Sequence, residues 1–188
     1  MADSNITKRA LAVALKELMT EMTFDKIRVS DICDKCDMNR KSFYYHFKDK
    51  YDLVNWIFDT EFSEASANQS YESVISVEFL KCMCGYFYEN RNFYRKILKS
   101  GGQNYFLDHC RECLQPIFKS RLEEIMETED IHGFYVGFFT DALICAITRW
   151  LLDKNCVSVD EFVFMLESVI QNTASYICNE KQQKRHED

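Results

Sequence analysis

The chain has 188 residues, 47% of them hydrophobic, with five glycines, one proline and a formal net charge of −7. That length supports one or two compact cores, and so few Gly and Pro residues leave no room for the frequent turns of an all-β fold. No apolar run reaches the roughly 18 residues of a membrane span, and the opening MADSNITKRA lacks the apolar stretch of a signal peptide, so a cytosolic protein is expected.

In chain order, Ile6, Ala10, Leu11, Ala14 and Leu18 repeat on one helical face and predict a first helix over 6–21, capped by Ser4 or Asn5. A short second helix follows over 30–36, with Ile32, Cys33 and Cys36 on one side. Asp37, Met38 and Asn39 then make a turn. Asp tolerates a left-handed backbone, Met38 pins the turn to the core, and Asn39 caps the next helix. In that third helix Phe43 and Phe47, four apart, share the inward face, which leaves Arg40, Lys41, Tyr44, Tyr45 and Lys48 outward. A longer helix is expected over 50–65, burying Leu53, Val54, Trp56 and Ile57.

The small, polar stretch SEASANQSYES, 63–73, reads as a boundary. Beyond it, helices near 74–89, 92–99, 104–126, 131–153 and 158–178 are separated by ENRN, KSGGQN, TED and KNCVS, and a capping box from Ser158 to Glu161 opens the last of them. The expected architecture is all-α: a helix-turn-helix DNA-binding domain in 1–50, a linking helix over about 50–65, and a helical effector-binding and dimerisation domain in 66–188. The helix over 131–153 is apolar nearly all round, and the last helix carries a stripe from Val159 to Thr173. With Gly133 and Gly137 allowing close approach, the expected dimer interface is Gly133, Gly137, Val159, Phe162, Val163, Leu166 and Ile170.

Charge distribution sharpens the functional reading. Residues 1–60 carry ten basic and ten acidic residues, so the whole deficit lies in 61–188, with thirteen against twenty. Met38–Lys50 holds Arg40, Lys41, Lys48 and Lys50 against Asp49 alone, a basic tip on an acidic body that a polyanion's field would orient. Two short helices joined by a three-residue turn, the second basic and polar, fit the arrangement that sets a helix in the DNA major groove. Lys and Arg neutralise phosphates or reach guanine edges, hydroxyls donate to phosphate oxygens, and the helix N-termini near Ser30 and Lys50 offer backbone amides.

The ungapped stretch VSDICDKCDMNRKSFYYHFKDKYDL, 29–53, carries the pattern V-x-D-I, a small turn, then S-F-Y-x-x-F-x-x-K-x-x-L. From Ile6 to about Phe58 the chain resembles the DNA-binding domain of TetR-type transcriptional regulators. The resemblance implies that Ser42, Tyr44 and Lys50 hold phosphates. It also implies that Arg40, Lys41, Tyr45 and His46 face base edges or the adjacent backbone, and that Arg28 to Ser30 touch the flanking strand. Asp37 stands where that family usually has Gly, and EMTF replaces the usual Gly after the first helix. YENRNFYRKILKSGGQN, 88–104, is similar to a subgroup that includes an activator of dihydroxyacetone kinase genes, which works with a partner protein.

Nine cysteines, an odd set placed mostly in apolar helical patterns, read as reduced thiols, the C-x-x-C pair Cys33 and Cys36 among them. His109, Cys110 and Cys113 have ligand-like spacing and would still need a fourth ligand from elsewhere to hold zinc. The aromatic residues between Phe79 and Phe139 read singly as core and together as the wall of an effector cavity, and the terminal KQQKRHED as a solvated tail. With no G-x-S-x-G, H-E-x-x-H or Gly-rich phosphate loop, and no strand before Gly101 and Gly102, neither catalysis nor a cofactor is expected. The leading expectation is a homodimeric regulator on a near-palindromic operator, controlled by a small-molecule effector. The alternatives are a co-regulator acting mainly through a partner protein at the C-terminal domain, and a thiol or metal sensor using His109, Cys110 and Cys113.

Overall fold

A computed structural model of the chain describes residues 2–66, 77–125 and 132–187. Among the described residues there are nine α-helices, one 3-10 turn (Phe24–Lys26) and no strand. The helices are α1 (Ala2–Glu21), α2 (Val29–Lys35), α3 (Arg40–His46), α4 (Lys50–Ser66), α5 (Val77–Glu89), α6 (Arg91–Leu98), α7 (Gln103–Ile125), α8 (Gly133–Leu152) and α9 (Val159–Glu187). The all-α expectation holds. The boundary expected over 63–73 falls partly outside the described residues, as do the start expected for α5 near 74 and the TED connection. The side chains of the expected tail lie outside them too, while its backbone continues α9 as far as Glu187.

Two compact units emerge, one of Met1–Ala65 with Asn90–His109, the other of Ser66–Glu89 with Cys110–Asp188. This division interleaves the chain, where a single linear boundary at 66 was expected. In the first unit α1 buries Leu11, Ala12, Ala14, Leu15, Leu18 and Met19. Ile6, expected on that face, is 66% exposed, because the buried stretch of the helix begins only at Leu11.

Around α1 the same core takes Phe24, Ile27, Ile32, Phe43, Phe47, Leu53, Val54 and Ile57. Phe47 meets Phe43 at 5.8 Å and Trp56 at 5.8 Å between ring centroids. Full burial of one such aromatic ring stabilises by about 1.5–3 kcal/mol, so Phe43, wholly enclosed, is a principal anchor of α3. On the far side Phe106 of α7 packs edge-on to Phe58 of α4 at 5.7 Å and stacks on Tyr94 of α6 at 5.2 Å, which brings α6 and the start of α7 into this unit.

The second unit centres on α8, which buries Val136, Phe139, Thr140, Leu143, Ile144, Ile147, Trp150 and Leu151. Against the expectation that no apolar stretch has the length of a membrane span, α8 is long and apolar enough by length and composition to cross one, and eight of its side chains are buried in the second unit. Trp150 stacks on Phe162 of α9 at 4.4 Å and on Tyr88 of α5 at 5.7 Å, and its Nε1 donates to the Val157 carbonyl at 2.9 Å. The start of α9 is where the Ser158–Glu161 pattern placed it, with the Glu161 amide donating to Ser158 Oγ at 3.3 Å.

Two residues expected at a subunit interface are corrected by this packing. Phe162 is 7% exposed and Val163 1% exposed, and both are consumed by the subunit's own core. Val159, Leu166 and Ile170 are half-buried on the same side of α9. Among the described side chains of α9, the large apolar residues that are exposed are instead Phe164, Met165, Val169 and Tyr176.

Candidate nucleic-acid interface

The turn between α2 and α3 is built from hydrogen bonds that the sequence encodes locally. The Met38 amide donates to the Cys33 carbonyl at 2.9 Å and the Asp37 amide to the Asp34 carbonyl at 3.4 Å, the paired pattern that closes a helix C-terminus through a left-handed residue. Asp37 supplies that residue with φ 53°, at a cost of about 1 kcal/mol relative to glycine. Asn39 then caps α3, its Oδ1 accepting from the Ser42 amide at 2.8 Å.

Because Phe43 and Phe47 point inward, the opposite face of α3 is left to solvent. Arg40 and Lys41 are exposed, Tyr44 is 51% and Tyr45 83% exposed, and Ser42 and His46 are half-buried. Arg28, beside the start of α2, is exposed, with Nε 4.0 Å from Asp31, and Ser30 is half-buried. A seven-residue helix is about 10 Å long and fits a major groove about 12 Å wide. Two cations, two phenols and a hydroxyl on one face can serve both phosphate oxygens and base edges. Lys8 of α1, missed in the sequence, adds an ammonium beside this surface, 5.7 Å from the Phe47 ring and 5.8 Å from Trp56.

Lys50 departs from expectation. Its Nζ donates to the carbonyls of Phe24 at 2.8 Å, Asp25 at 3.3 Å and Ile27 at 2.8 Å, and lies 4.5 Å above the Phe24 ring. An ammonium has three donors, and all three are occupied inside the module. Burial pushes its pKa below the ordinary lysine value, against the opposing pull of Asp25 and Asp31. We therefore correct its expected role from phosphate contact to internal clamp. The amides at the start of α4 are also engaged: Asp49 Oδ1 accepts from Tyr51 and Asp52, each at 2.9 Å, and Asp52 Oδ2 accepts from Lys48 at 2.9 Å. They satisfy carboxylates rather than offering themselves to a phosphate.

Of the cysteine and histidine sets, the Cys33 and Cys36 pair serves packing. Cys33 is buried, and burial above all, then the neighbouring Cys36 and Asp34, pushes its thiol pKa up; burial likewise raises that of Cys36. Thiols kept protonated are poor ligands and poor nucleophiles. Cys110 is buried, whereas Cys113, one turn after His109 on α7, shares its face, and the ligand atoms of His109, Cys113 and Asp59 lie within 4.8 Å of one another, with His109 Nε2 2.7 Å from Asp59 Oδ1.

An all-α chain whose second and third helices form a helix-turn-helix with a basic, exposed third helix defines the class of helix-turn-helix DNA-binding proteins. Residues 11–57 match the family described as bacterial regulatory proteins, tetR family, and residues 76–172 match a transcriptional regulator C-terminal region of the same family. The chain belongs to the TetR family of transcriptional regulators. A curated relative, the HTH-type dhaKLM operon transcriptional activator DhaS of Lactococcus lactis, is 31% identical over 152 residues, which cover 79% of this chain and 81% of the relative. Two solved structures share the fold. The dihydroxyacetone kinase operon activator DhaS has a TM-score of 0.63 at 22% identity, covering 91% of this chain and 97% of its own. A TetR transcriptional regulator from Streptococcus agalactiae has a TM-score of 0.65 at 22% identity, covering 90% and 96%.

Proposed function

We propose that two copies of this chain pair through α8 and α9 and present two α3 helices to successive major grooves of a near-palindromic operator. In this reading Arg40, Lys41, Tyr45 and His46 face base edges, while Arg28, Ser30, Ser42 and Tyr44 hold phosphates. The observation that carries it is the two-sided character of α3, with Phe43 and Phe47 enclosed and Tyr45 and the cations outside. A phenol so fully exposed beside two cations is suited to a desolvating, polyanionic partner.

Pairing is supported by two matching stripes. Phe134, Phe138, Asp141 and Cys145 on α8, and Met165, Val169, Asn172 and Tyr176 on α9, all exposed, each follow a 4-3-4 spacing, the seam of helices packed nearly parallel. Gly133 and Gly137 line an open groove along the α8 stripe, and among the described residues, apart from their chain neighbours and the helix's own nearby backbone, nothing lies within 4 Å of where their Cβ atoms would be. A second helix can approach closely there. Asp141 brings no unpaired charge to the seam, because Arg111 Nε holds its Oδ1 at 2.7 Å.

A small-molecule effector acting on the C-terminal unit completes the reading, supported by the match of residues 76–172 to a regulator's C-terminal region. Activation of an operon, the role named for the Lactococcus relative, is the form of control we adopt. The test is selection of duplexes by the full chain from a random pool. A site of two inverted half-sites about 34–36 Å apart, or a multiple of that, is expected. Recovery of no common sequence, or of an unpaired half-site, overturns the proposal.

A further inference from the structure

We propose that Asp59 of α4 with His109 and Cys113 of α7 forms a binding site for a divalent transition metal ion, zinc by the character of its donors, and leaves one coordination position to water or an exchangeable ligand. The site needs neither a second chain nor DNA.

Residues four apart lie one above the other on a helix, so the imidazole at 109 and the thiol at 113 stand on one face of α7. Cys110, which spacing alone placed in the same set, is 5% exposed and belongs to the core. Its place is taken from a second helix. Asp59 lies 50 residues upstream, and α4 brings its Oδ1 to 2.7 Å from His109 Nε2. The three ligand atoms, one from each side chain, all lie within 4.8 Å of one another.

Ordinary pairing of a histidine with a carboxylate uses two of these groups and does not call for a thiol beside them. A metal ion uses all three. Tetrahedral zinc, with bonds of about 2.0–2.3 Å, sets its ligand atoms about 3.3–3.6 Å apart, so the cluster closes on an ion through shifts of about 1 Å. Phe58, buried and next to Asp59 on α4, meets the imidazole edge-on at 6.2 Å and fixes the plane of its ring. Asp59 is exposed and the other two ligands are half-buried, which gives an ion a path in from solvent. The donors decide the class of metal. Thiolate and imidazole favour zinc and its neighbours, whereas magnesium and calcium take oxygen ligands. When the ion binds, Cys113 Sγ gives its proton to solvent, and His109 exchanges its hydrogen bond to Asp59 for coordination through the Nε2 lone pair, with its proton on Nδ1.

Metal-free full-length protein, kept reduced, is titrated with cobalt(II), whose spectrum reports its ligands, and then with zinc. Wild type is expected to take up one cobalt per chain, with a thiolate-to-metal charge-transfer band and the strong visible bands of four-coordination, both lost as zinc displaces it. Cys113→Ser is expected to lose the charge-transfer band, and Asp59→Asn and His109→Gln to weaken cobalt binding about tenfold or more. Cys110→Ala and Cys36→Ala, outside the site, are expected to keep the wild-type spectrum. Saturating zinc should raise the melting temperature of the wild type, by binding the folded state, and leave that of Asp59→Asn unchanged. A wild type without the charge-transfer band, a band that survives Cys113→Ser, or wild-type cobalt affinity in Asp59→Asn overturns the inference.

Discussion

Val169→Lys is expected to turn a dimer into folded monomers at micromolar concentration and to lower operator affinity by about a hundredfold or more. Val169 is 64% exposed and sits in the centre of the α9 stripe, so the subunit's own core does not depend on it. A lysine there would meet its symmetry mate or a neighbouring apolar side chain in the paired state. Like charges forced together, or an ammonium stripped of water, disfavour association strongly. With the pair broken, each module binds a half-site alone, and the gain from joining two binding events is lost. Light scattering on a sizing column reads the mass, and fluorescence anisotropy reads the affinity. Val163→Lys is the contrasting change: at 1% exposure its charge enters the subunit core and should unfold the second unit. Should Val169→Lys remain a dimer, the exposed stripes are not the interface.

Lys50→Met is expected to destabilise the chain by about 2 kcal/mol, from hydrogen bonds of a charged donor worth about 1.5–3 kcal/mol in combination and carbonyls left without their partner. That corresponds to a fall of roughly 4–8 °C in the melting temperature for a chain of this size. The salt dependence of DNA binding, which counts neutralised phosphates, should keep its wild-type slope, because all three Nζ donors are used inside the module. A lower slope with unchanged stability would return Lys50 to the phosphates. Thermal unfolding by circular dichroism and a salt series of anisotropy titrations distinguish the two.

Why the reading module was legible and the rest less so follows from where each signal is stored. The α2–turn–α3 unit is written in local chemistry: Asn39 caps within three residues, Asp37 takes the left-handed position beside it, and Phe43 and Phe47 are one turn apart. The direction of a lysine is not local. The three carbonyls that capture Lys50 lie between 23 and 26 residues upstream, and only the folded chain brings them together.

On α9 the difficulty was one of overlap. Two apolar stripes share one helix, so that the single stripe expected from Val159 to Thr173 ran through both Val169, which is exposed, and Val163 and Leu166, which line the core side. Hydrophobic periodicity marks an apolar face without saying whether the same subunit or another covers it. Interleaving of the two units was likewise hidden, because α6 and the start of α7 return to the N-terminal core through Lys96 and Phe106, whose partners Met19 and Phe58 are far away in sequence.

The most direct test of α3 as the reading helix is a set of anisotropy titrations of wild type, Arg40→Ala and Lys41→Ala on the selected duplex and its single-base variants over a range of salt. Both side chains are exposed, so melting temperatures should stay near that of the wild type. At least one of the two variants should lose about 1–3 kcal/mol of affinity and its preference at one base position, the signature of a lost base contact. Wild-type affinity and wild-type base preference in both variants would contradict the assignment of the outward face of α3 to the duplex.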